Sequence, residues 1–563
     1  MATDADDAPL LAEEPLRPGA CSRELELREF RDRYVIRSLD GEGRGFAVAR
    51  SDGSLRTLSP DEAAAGSDCK VSRIYGVAGI IKLLAGSYVL VITSRNDAGS
   101  YQGSPVYHAN SMKFLCCNEA LKHLTSQEKK DEAYFMSLLR IAESTCGLYY
   151  AYDRDLTLNL QRASKLAVGR IHKPLWKQAD PRFIWNKNLL EELIEAKDTP
   201  VRITLFSRRC SRRLGTRMWR RGANLEGATA NFVETEQMVE YEGFTSSFIQ
   251  VRGSIPLLWE QIVDLSYKPR LSVIEHEETP KVVQRHFHDL SQRYGETLVL
   301  DLTDKCGDEG NLSNAFAAEM EKIPSVRYVH FDFHHVCGGG NFDNLQVLYS
   351  QIEDCIQKQG YFLINSKGEI LLEQSGVVRS NCIDCLDRTN VTQRMGALSM
   401  AESISLSDNI NDTFKKLWVE HGDELSLEYA GSYALKGDLV RYGRQTLPGL
   451  IKDGMSALSR YYLNNFHDGV RQDALDLISG YYTVSQGRPF EIGGFESSSY
   501  LPVASAIIVG GITATTFTLS QAGRNAQHFI SSFIFAGLTA GVAALVKANG
   551  KHFCSRPRLC GLI

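Results

Sequence analysis

The sequence predicts an α/β protein that carries a membrane anchor towards its C-terminal end. Three observations carry this expectation. Strand-like runs alternate with helical ones along most of the chain, a strand and a helix start enclose a Cys-x5-Arg spacing, and two long stretches near the C-terminus lack any charge. With 563 residues, 43% hydrophobic and 23% charged, the chain is too long for one compact core and too apolar for a disordered one. Two or more soluble domains are therefore expected. A formal net charge of −5 gives no global attraction to nucleic acid, and an acidic ligand must be held by a local patch. The thirteen cysteines show no disulfide-like rhythm, and their odd number suits a reducing compartment.

Residues 1–24 are acidic and rich in small side chains, with no basic segment leading into an apolar one, and are expected to be a disordered leader rather than a secretory signal. The first folded unit is expected over residues 25–178. Within it, residues 83–93 (LLAGSYVLVIT) read as a buried strand pair or a bulged strand. Thr125 and Glu128 form a capping box ahead of a helix with Phe135, Leu138, Leu139 and Ala142 on one face. Prolines and charges cluster over residues 173–181, where the boundary to a second unit, 179–486, is placed. In that unit residues 202–206 and 297–302 read as strands. A linker, 487–500, leads to the anchor.

Residues 501–519 and 529–546 contain no charge, and each run approaches the roughly 20 residues needed to cross a bilayer. The stretch between them, 520–528, has Arg524 as its one fixed charge, whereas Lys547, Lys551, Arg556 and Arg558 follow the second run. The bias of basic residues towards the cytosol makes 520–528 lumenal and the tail 547–563 cytosolic, and an even number of spans returns the N-terminal bulk to the cytosol. Gly537 and Gly541 are spaced to let the two spans pack closely. A buried helical hairpin is the competing assignment, favoured by four threonines between Thr513 and Thr518.

The chemistry is expected in residues 379–390, RSNCIDCLDRTN. Cys382 and Arg388 stand in Cys-x5-Arg spacing, and none of the other twelve cysteines has an arginine six residues on. Spacing alone is not specific, so context carries the reading. Residues 369–378 (EILLEQSGVV) read as a strand, and a helix is expected from Asn390, with Val391, Met395, Leu398 and Ala401 at helical intervals. A loop between strand and helix start can turn backbone N–H groups towards an anion, and the same positive helix end lowers the pKa of a cysteine placed there. Cys382 is thus expected to be a thiolate nucleophile. Arg388 can grip two phosphoryl oxygens, and Thr389 can donate a hydrogen bond to the sulfur. Attack on phosphorus and hydrolysis of the phosphocysteine require no metal and no cofactor. The leaving alkoxide needs a proton donor, for which the loop offers Asp384, slightly preferred, and Asp387.

RSNCIDCLDRTN resembles the signature of the Sac-domain (suppressor-of-actin) phosphoinositide phosphatases. The similarity extends to residues 79–93, 182–186 (RFIWN), 211–236, 250–259 (QVRGSIPLLW) and 429–438 (YAGSYALKGD), and covers about residues 25–486. The resemblance implies an N-terminal Sac subdomain followed by a catalytic subdomain with a cysteine-phosphatase-like core and phosphate loop. It also implies Cys382 as nucleophile and Arg388 as phosphate-binding arginine, with Arg379, Asn381, Ile383, Cys385 and Leu386 completing the substrate-binding motif. Two C-terminal spans resemble the endoplasmic-reticulum and Golgi branch, although the final RPRLCGLI lacks a dilysine retrieval signal. The expected reaction is hydrolysis of phosphatidylinositol 4-phosphate, and of the 3-phosphate, to phosphatidylinositol. A catalytically silent lipid-binding adaptor is the alternative, and a phosphoprotein phosphatase is disfavoured by the anchor.

The five residues between Cys382 and Arg388 include two aspartates and no base, so a second phosphate beside the reacting one is expected to be repelled. Seven arginines between Arg208 and Arg221 form either a headgroup patch or a salt-bridged segment. Cys382 and Cys385 make a C-x-x-C without a second pair at zinc spacing, which leaves Cys385 as a buried small residue or a resolving thiol. His334 and His335 could contact the active site, but a satisfied core or structural role is expected for them, and a turn for Gly338 to Gly340. The stretch from Ser485 to Tyr500, about 16 residues, spans roughly 20–25 Å as a flexible coil, which favours action on the resident bilayer.

Overall fold

The computed structural model describes residues 23–559 except 40–44, 52–54, 59–68, 102–103, 118–123, 146, 153, 165–178, 181, 187–203, 242–243, 338–343, 366–368, 403–407, 443–444, 485–499 and 522–525. Most of the leader, the linker, the boundary segment around residue 175 and Gly338 to Gly340 thus lie outside the described residues.

The N-terminal part is built on two antiparallel sheets. One runs Leu55–Thr57, Gly45–Ala49, Arg33–Ser38, Leu25–Glu29, Lys70–Ile74; the other runs Gly76–Lys82, Ser87–Tyr101, Ser104–Cys117, Tyr149–Tyr150. Residues 83–93 are a hairpin turn and the strand after it. Leu83 N–H bonds the Gly86 carbonyl at 2.9 Å, and Gly86 takes the positive φ of 143° that a side chain would resist. The Ser126–Glu143 helix begins with the expected capping box: Thr125 Oγ1 accepts from Glu128 N–H, and the Glu128 carboxylate accepts from Thr125 N–H. Its buried Phe135, Leu138 and Leu139 pack on Tyr88, Leu90 and Phe114, together with Leu477 and Ile478 from the Asp468–Ile478 helix. The first sheets and a late helix of the chain therefore share one apolar core.

An eight-stranded mixed sheet forms the second part, with six strands in the order Thr204–Arg209, Val233–Tyr241, Phe244–Arg252, Gly376–Asn381, Glu296–Asp301, Arg327–His330. Its last four strands are parallel to one another. The central strand GVVRSN is buried at every position, because helices cover both faces of the sheet. The Thr279–Tyr294 and Gly307–Met320 helices pack through Val283, Phe287 and Phe316 on one face. The Leu345–Gln359 helix packs through Leu348 and Ile352 with Trp418 and Val391 on the other. Residues 369–378 form two strands rather than one: Ile370–Leu372 pairs with Phe362–Ile364, and the central strand starts at Gly376. The Gln374 side chain separates them, accepting from Ile249 N–H and donating to the Ile249 carbonyl as a strand backbone would.

Residues 500–548 form two helices, Tyr500–Gln521 and Ala526–Ala548, packed on each other. Among the described residues one helix, His528–Ala548, is long and apolar enough to cross a membrane. The expected packing role of Gly537 and Gly541 is not what the structure has, since nothing lies within 4 Å of a Cβ built on either. Gly511 makes the close approach instead, against Thr539. Hydroxyls of Thr513, Thr515, Thr516 and Thr518 donate to carbonyls four residues back, which satisfies them without water.

Candidate active site

The central strand Gly376–Asn381 ends in the loop, and the Asp387–Glu402 helix leaves it, starting three residues before the expected Asn390. The site lies at the C-terminal ends of parallel strands, where helix starts and loop amides converge in α/β sheets. Cys382 is fully buried at the foot of the loop. Its Sγ accepts from Cys385 N–H at 3.0 Å and lies 3.5 Å from Thr389 Oγ1, placed to donate. The loop closes this way because Cys385 adopts a positive φ of 55°, unusual for a residue with a side chain. Burial by itself would raise the Cys382 thiol. Hydrogen bonding from Cys385, the charge of Arg388 and the Thr389 hydroxyl outweigh it, against Asp384, and hold the thiol below its ordinary range. Cys385 is driven the other way by burial and by its neighbour, and its thiol donates to the Gly253 carbonyl at 2.9 Å.

Arg388 is buried. Its Nη1 donates to the Leu302 carbonyl at 3.1 Å and to Glu309 at 2.9 Å, with Asp304 at 3.3 Å. Among the described residues its Nε and Nη2 have no hydrogen-bond partner, so one edge of the guanidinium is tethered and the other is free to meet an oxyanion.

Asp384 is 3.5 Å from Cys382 Sγ through Oδ1, while Oδ2 takes both Nε (3.1 Å) and Nη2 (3.0 Å) of Arg217. Although burial opposes it, the charges of Arg217, Arg221, Arg460 and Arg388 hold this carboxyl far below the usual carboxylate range. A carboxyl so held favours its ionised form, which counts against the slight preference for Asp384 as general acid. Asp387 accepts from Arg460 Nη1 at 3.1 Å and from Leu435 N–H at 2.6 Å.

The remaining motif side chains turn away from the loop's interior. Arg379 is fully buried and donates to Ser254 O, Asn381 Oδ1 and His286, while Asn381 donates to Asp301 at 2.8 Å. Leu386 packs with Val233, Leu425 and Tyr429. Ile383 packs at the edge of the core, and its carbonyl accepts from Arg221 Nη1. These residues, with Cys385, shape the loop.

The arginine-rich segment divides by partner. Arg208 is buried between Glu234 and Glu236, Arg209 pairs with Glu428, and Arg220 with Asp476. Arg217 and Arg221 reach the 382–388 loop itself. The salt-bridged reading holds for Arg208, Arg209, Arg212, Arg217 and Arg220, and Arg217 and Arg221 position the loop. Sequence reasoning missed Arg460, Lys436, Asp304 and Glu309 as parts of the site. Their one signal was the 429–438 block, which holds Lys436. Burial, helped by Arg388, pushes the Lys436 ammonium down, while Asp387 opposes this. His334 is neither core nor buried: its Nδ1 lies 2.7 Å from Asp304, beside Arg388. A cavity of about 1500 Å³, lined by Tyr75, Arg208, Glu428 and Arg471 among others, lies between the two parts of the molecule and includes no residue of the catalytic loop.

The chain matches the SacI homology domain over residues 75–201 and 194–338. It is 59% identical to the phosphoinositide phosphatase SAC8 of Arabidopsis thaliana over 96% of this chain and 98% of that one. The chain belongs to the Sac-domain phosphoinositide phosphatase family. Similarity to Sac-domain proteins extends well beyond plants. The phosphatidylinositol-3-phosphatase SAC1-A of Danio rerio is 34% identical, covering 86% of this chain and 89% of its own length. The phosphatidylinositol-3-phosphatase SAC1 of Saccharomyces cerevisiae is 30% identical, covering 94% and 92%.

Proposed function

We propose that this chain is a phosphoinositide phosphatase of the Cys-x5-Arg type, acting on phosphatidylinositol 4-phosphate first and on the 3-phosphate as well. The observation that carries the reading is Cys382: a buried thiol held below its ordinary range by Cys385, Arg388 and Thr389 at the start of a helix. In this mechanism Cys382 Sγ attacks phosphorus and the inositol oxygen leaves. Water then hydrolyses the phosphocysteine, with Thr389 donating to the departing sulfur. The free edge of Arg388 takes two phosphoryl oxygens. The proton for the inositol oxygen comes from one of the two loop aspartates, Asp384 or Asp387, which are ion-paired to Arg217 and to Arg460 respectively.

A preference for monophosphates is supported by how the basic groups around the loop are spent. Arg217 is committed to Asp384, Arg221 to Ile383 O and Gln261, and Arg460 to Asp387, Ser432, Ser426 and Tyr433 O. The repulsion first expected from Asp384 and Asp387 is weaker than their number suggests, since both are ion-paired. The names of the fish and yeast relatives specify the 3-phosphate, which places both ring positions in the test. Anchoring in an endoplasmic-reticulum or Golgi membrane, by two spans with the catalytic part and both termini in the cytosol, belongs to the same reading.

The test is phosphate release by the full-length chain in mixed micelles from each phosphoinositide monophosphate, with EDTA present and Cys382→Ser in parallel. Metal-independent release that the substitution abolishes is expected. Release surviving Cys382→Ser would refute the nucleophile. Binding without release would favour the lipid-binding adaptor.

A further inference from the structure

The Leu447–Phe466 helix is built inside out for a water-soluble domain. Its inward face carries polar and small residues: buried Gly449, Ser456, Arg460 and Asn464, with half-buried Asp453. Arg460 Nη1 holds Asp387, and the Asp453 carboxylate accepts from Lys436 N–H. Its outward face carries Leu447, Leu450, Ile451, Met455, Leu458 and Tyr462, each between 53% and 72% exposed. These positions recur at helical intervals, so they form one continuous apolar stripe turned away from the protein. Lys452 is the one charged side chain exposed on this helix, and no exposed carboxylate interrupts the stripe. Tyr433 and Tyr442, 51% and 63% exposed, stand in the segment just before it.

A stripe of this size on a soluble surface marks an interaction face. Its occupant follows from what adjoins it. The C-terminal apolar helix ends at Ala548, and the chain after it folds onto the catalytic part next to this helix. Ser555 N–H donates to the Asn465 carbonyl at 2.6 Å, Cys554 Sγ lies 3.4 Å from Asn465 Oδ1, and Gly550 sits against the Asp264 carbonyl. The exit point of the helix that is apolar enough to span a bilayer is thereby fastened to one end of the exposed stripe. We propose that the outward face of the Leu447–Phe466 helix seats in the surface of the bilayer that holds the chain's own anchor.

This rests on the lipid-phosphatase reading and deepens it. An interfacial helix sinks roughly 5–10 Å into the headgroup and acyl boundary, and a helix is about 10 Å across. The loop bonded to its inner face through Arg460 and Asp387 then stands at headgroup height, and the phosphate reaches Cys382 without the lipid leaving the membrane. The helix supplies no group to the chemistry on its outer face. It acts by placing the loop.

The test uses the full-length chain reconstituted in vesicles, with Leu450→Ser, Ile451→Ser, Met455→Ser and Leu458→Ser combined. Turnover of a long-chain phosphoinositide in the same vesicle is expected to fall at least about tenfold, while turnover of a water-soluble dibutanoyl analogue stays within about twofold. Unchanged turnover of the bilayer lipid, or equal loss on both substrates, would overturn the proposal. A second readout needs no activity: Leu458→Trp fluorescence should be quenched by lipids brominated near the glycerol end of the chain. Val347→Trp, on an exposed position of the Leu345–Gln359 helix, should not be. A tryptophan at 458 that brominated lipid leaves unquenched means that water, protein or a second copy covers the face, and overturns the proposal. Loss of both substrates' turnover in the unsubstituted chain would instead strike the phosphatase reading and leave the quenching result standing.

Discussion

Replacing Arg217 by Met tests how the loop keeps its thiolate. Asp384 Oδ1 lies 3.5 Å from Cys382 Sγ, so the reactive form places two negative charges almost in contact. At an effective dielectric near 20 that repulsion amounts to about 5 kcal/mol before relaxation. Arg217 is what offsets it, with two donors on the far oxygen of the same carboxylate. Without Arg217 the thiol should bind its proton more tightly, by about one to two pKa units once solvent and side-chain relaxation are allowed for. The sign is definite: the nucleophile is the deprotonated form, so the acid limb of kcat/KM moves to higher pH. Activity at neutral pH should fall about tenfold or more, with Arg217→Met and the parent converging at high pH. A dibutanoyl phosphoinositide as substrate keeps membrane effects out of the profile. Adding Asp384→Asn removes the repelling charge, and the double variant should recover much of the loss. A uniform loss at every pH that Asp384→Asn does not relieve would refute this account and leave Arg217 as a folding residue.

Thr389→Val keeps the shape and removes the hydroxyl 3.5 Å from Cys382 Sγ. The second step should slow by about 10- to 100-fold, so that rapid-quench experiments show a burst of released inositol lipid and a trapped phosphocysteine. Arg208→Met acts on stability instead. It strips the shared cation from Glu234 and Glu236, both fully buried, and should cost about 3–5 kcal/mol in chemical denaturation.

The part of the site written in consecutive residues was legible in the sequence. Cys382, Arg388 and Thr389 are close along the chain, so a strand and a helix start on either side suffice to bring them together. The supporting shell was not. Arg217, Arg460 and the pair Asp304 and Glu309 come from three separate segments, and only the tertiary fold, with 376–381 between 244–252 and 296–301 in the sheet, juxtaposes them. The arginine cluster was visible as composition, but whether a guanidinium meets a lipid or an internal carboxylate depends on residues such as Glu234 and Glu428, far along the chain. The early helix start has a local cause that was open to reading: Asp387 in the first turn favours the positive helix end. Periodicity likewise marks an apolar stripe in residues 447–466, yet it carries no sign for inward or outward. That direction was fixed by Arg460 and Asp453 finding their partners on the protein side.

How many phosphates the site accepts turns on Lys436. Its Nζ lies 5.4 Å over the Phe333 ring, and among the described residues it has no ion-pair partner, unlike Arg217 and Arg460. Backbone geometry fixes where it starts: its φ is +64°, and its N–H is held by Asp453. Depressed by burial and by Arg388, this ammonium gains most from an incoming phosphate, because an anion relieves both penalties. If Lys436 assists the reacting phosphate, Lys436→Met should raise KM for a monophosphate about five- to tenfold and change kcat less than about twofold, the split expected when a contact is equal in ground and transition states. With Lys436 so engaged, and with Arg217, Arg221 and Arg460 already bonded within the protein, the 4,5-bisphosphate should turn over at least about tenfold more slowly than the 4-phosphate. Equal turnover of the two lipids, abolished selectively for the bisphosphate by Lys436→Met, would show that Lys436 serves the second phosphate and that the site is built for a more highly charged headgroup.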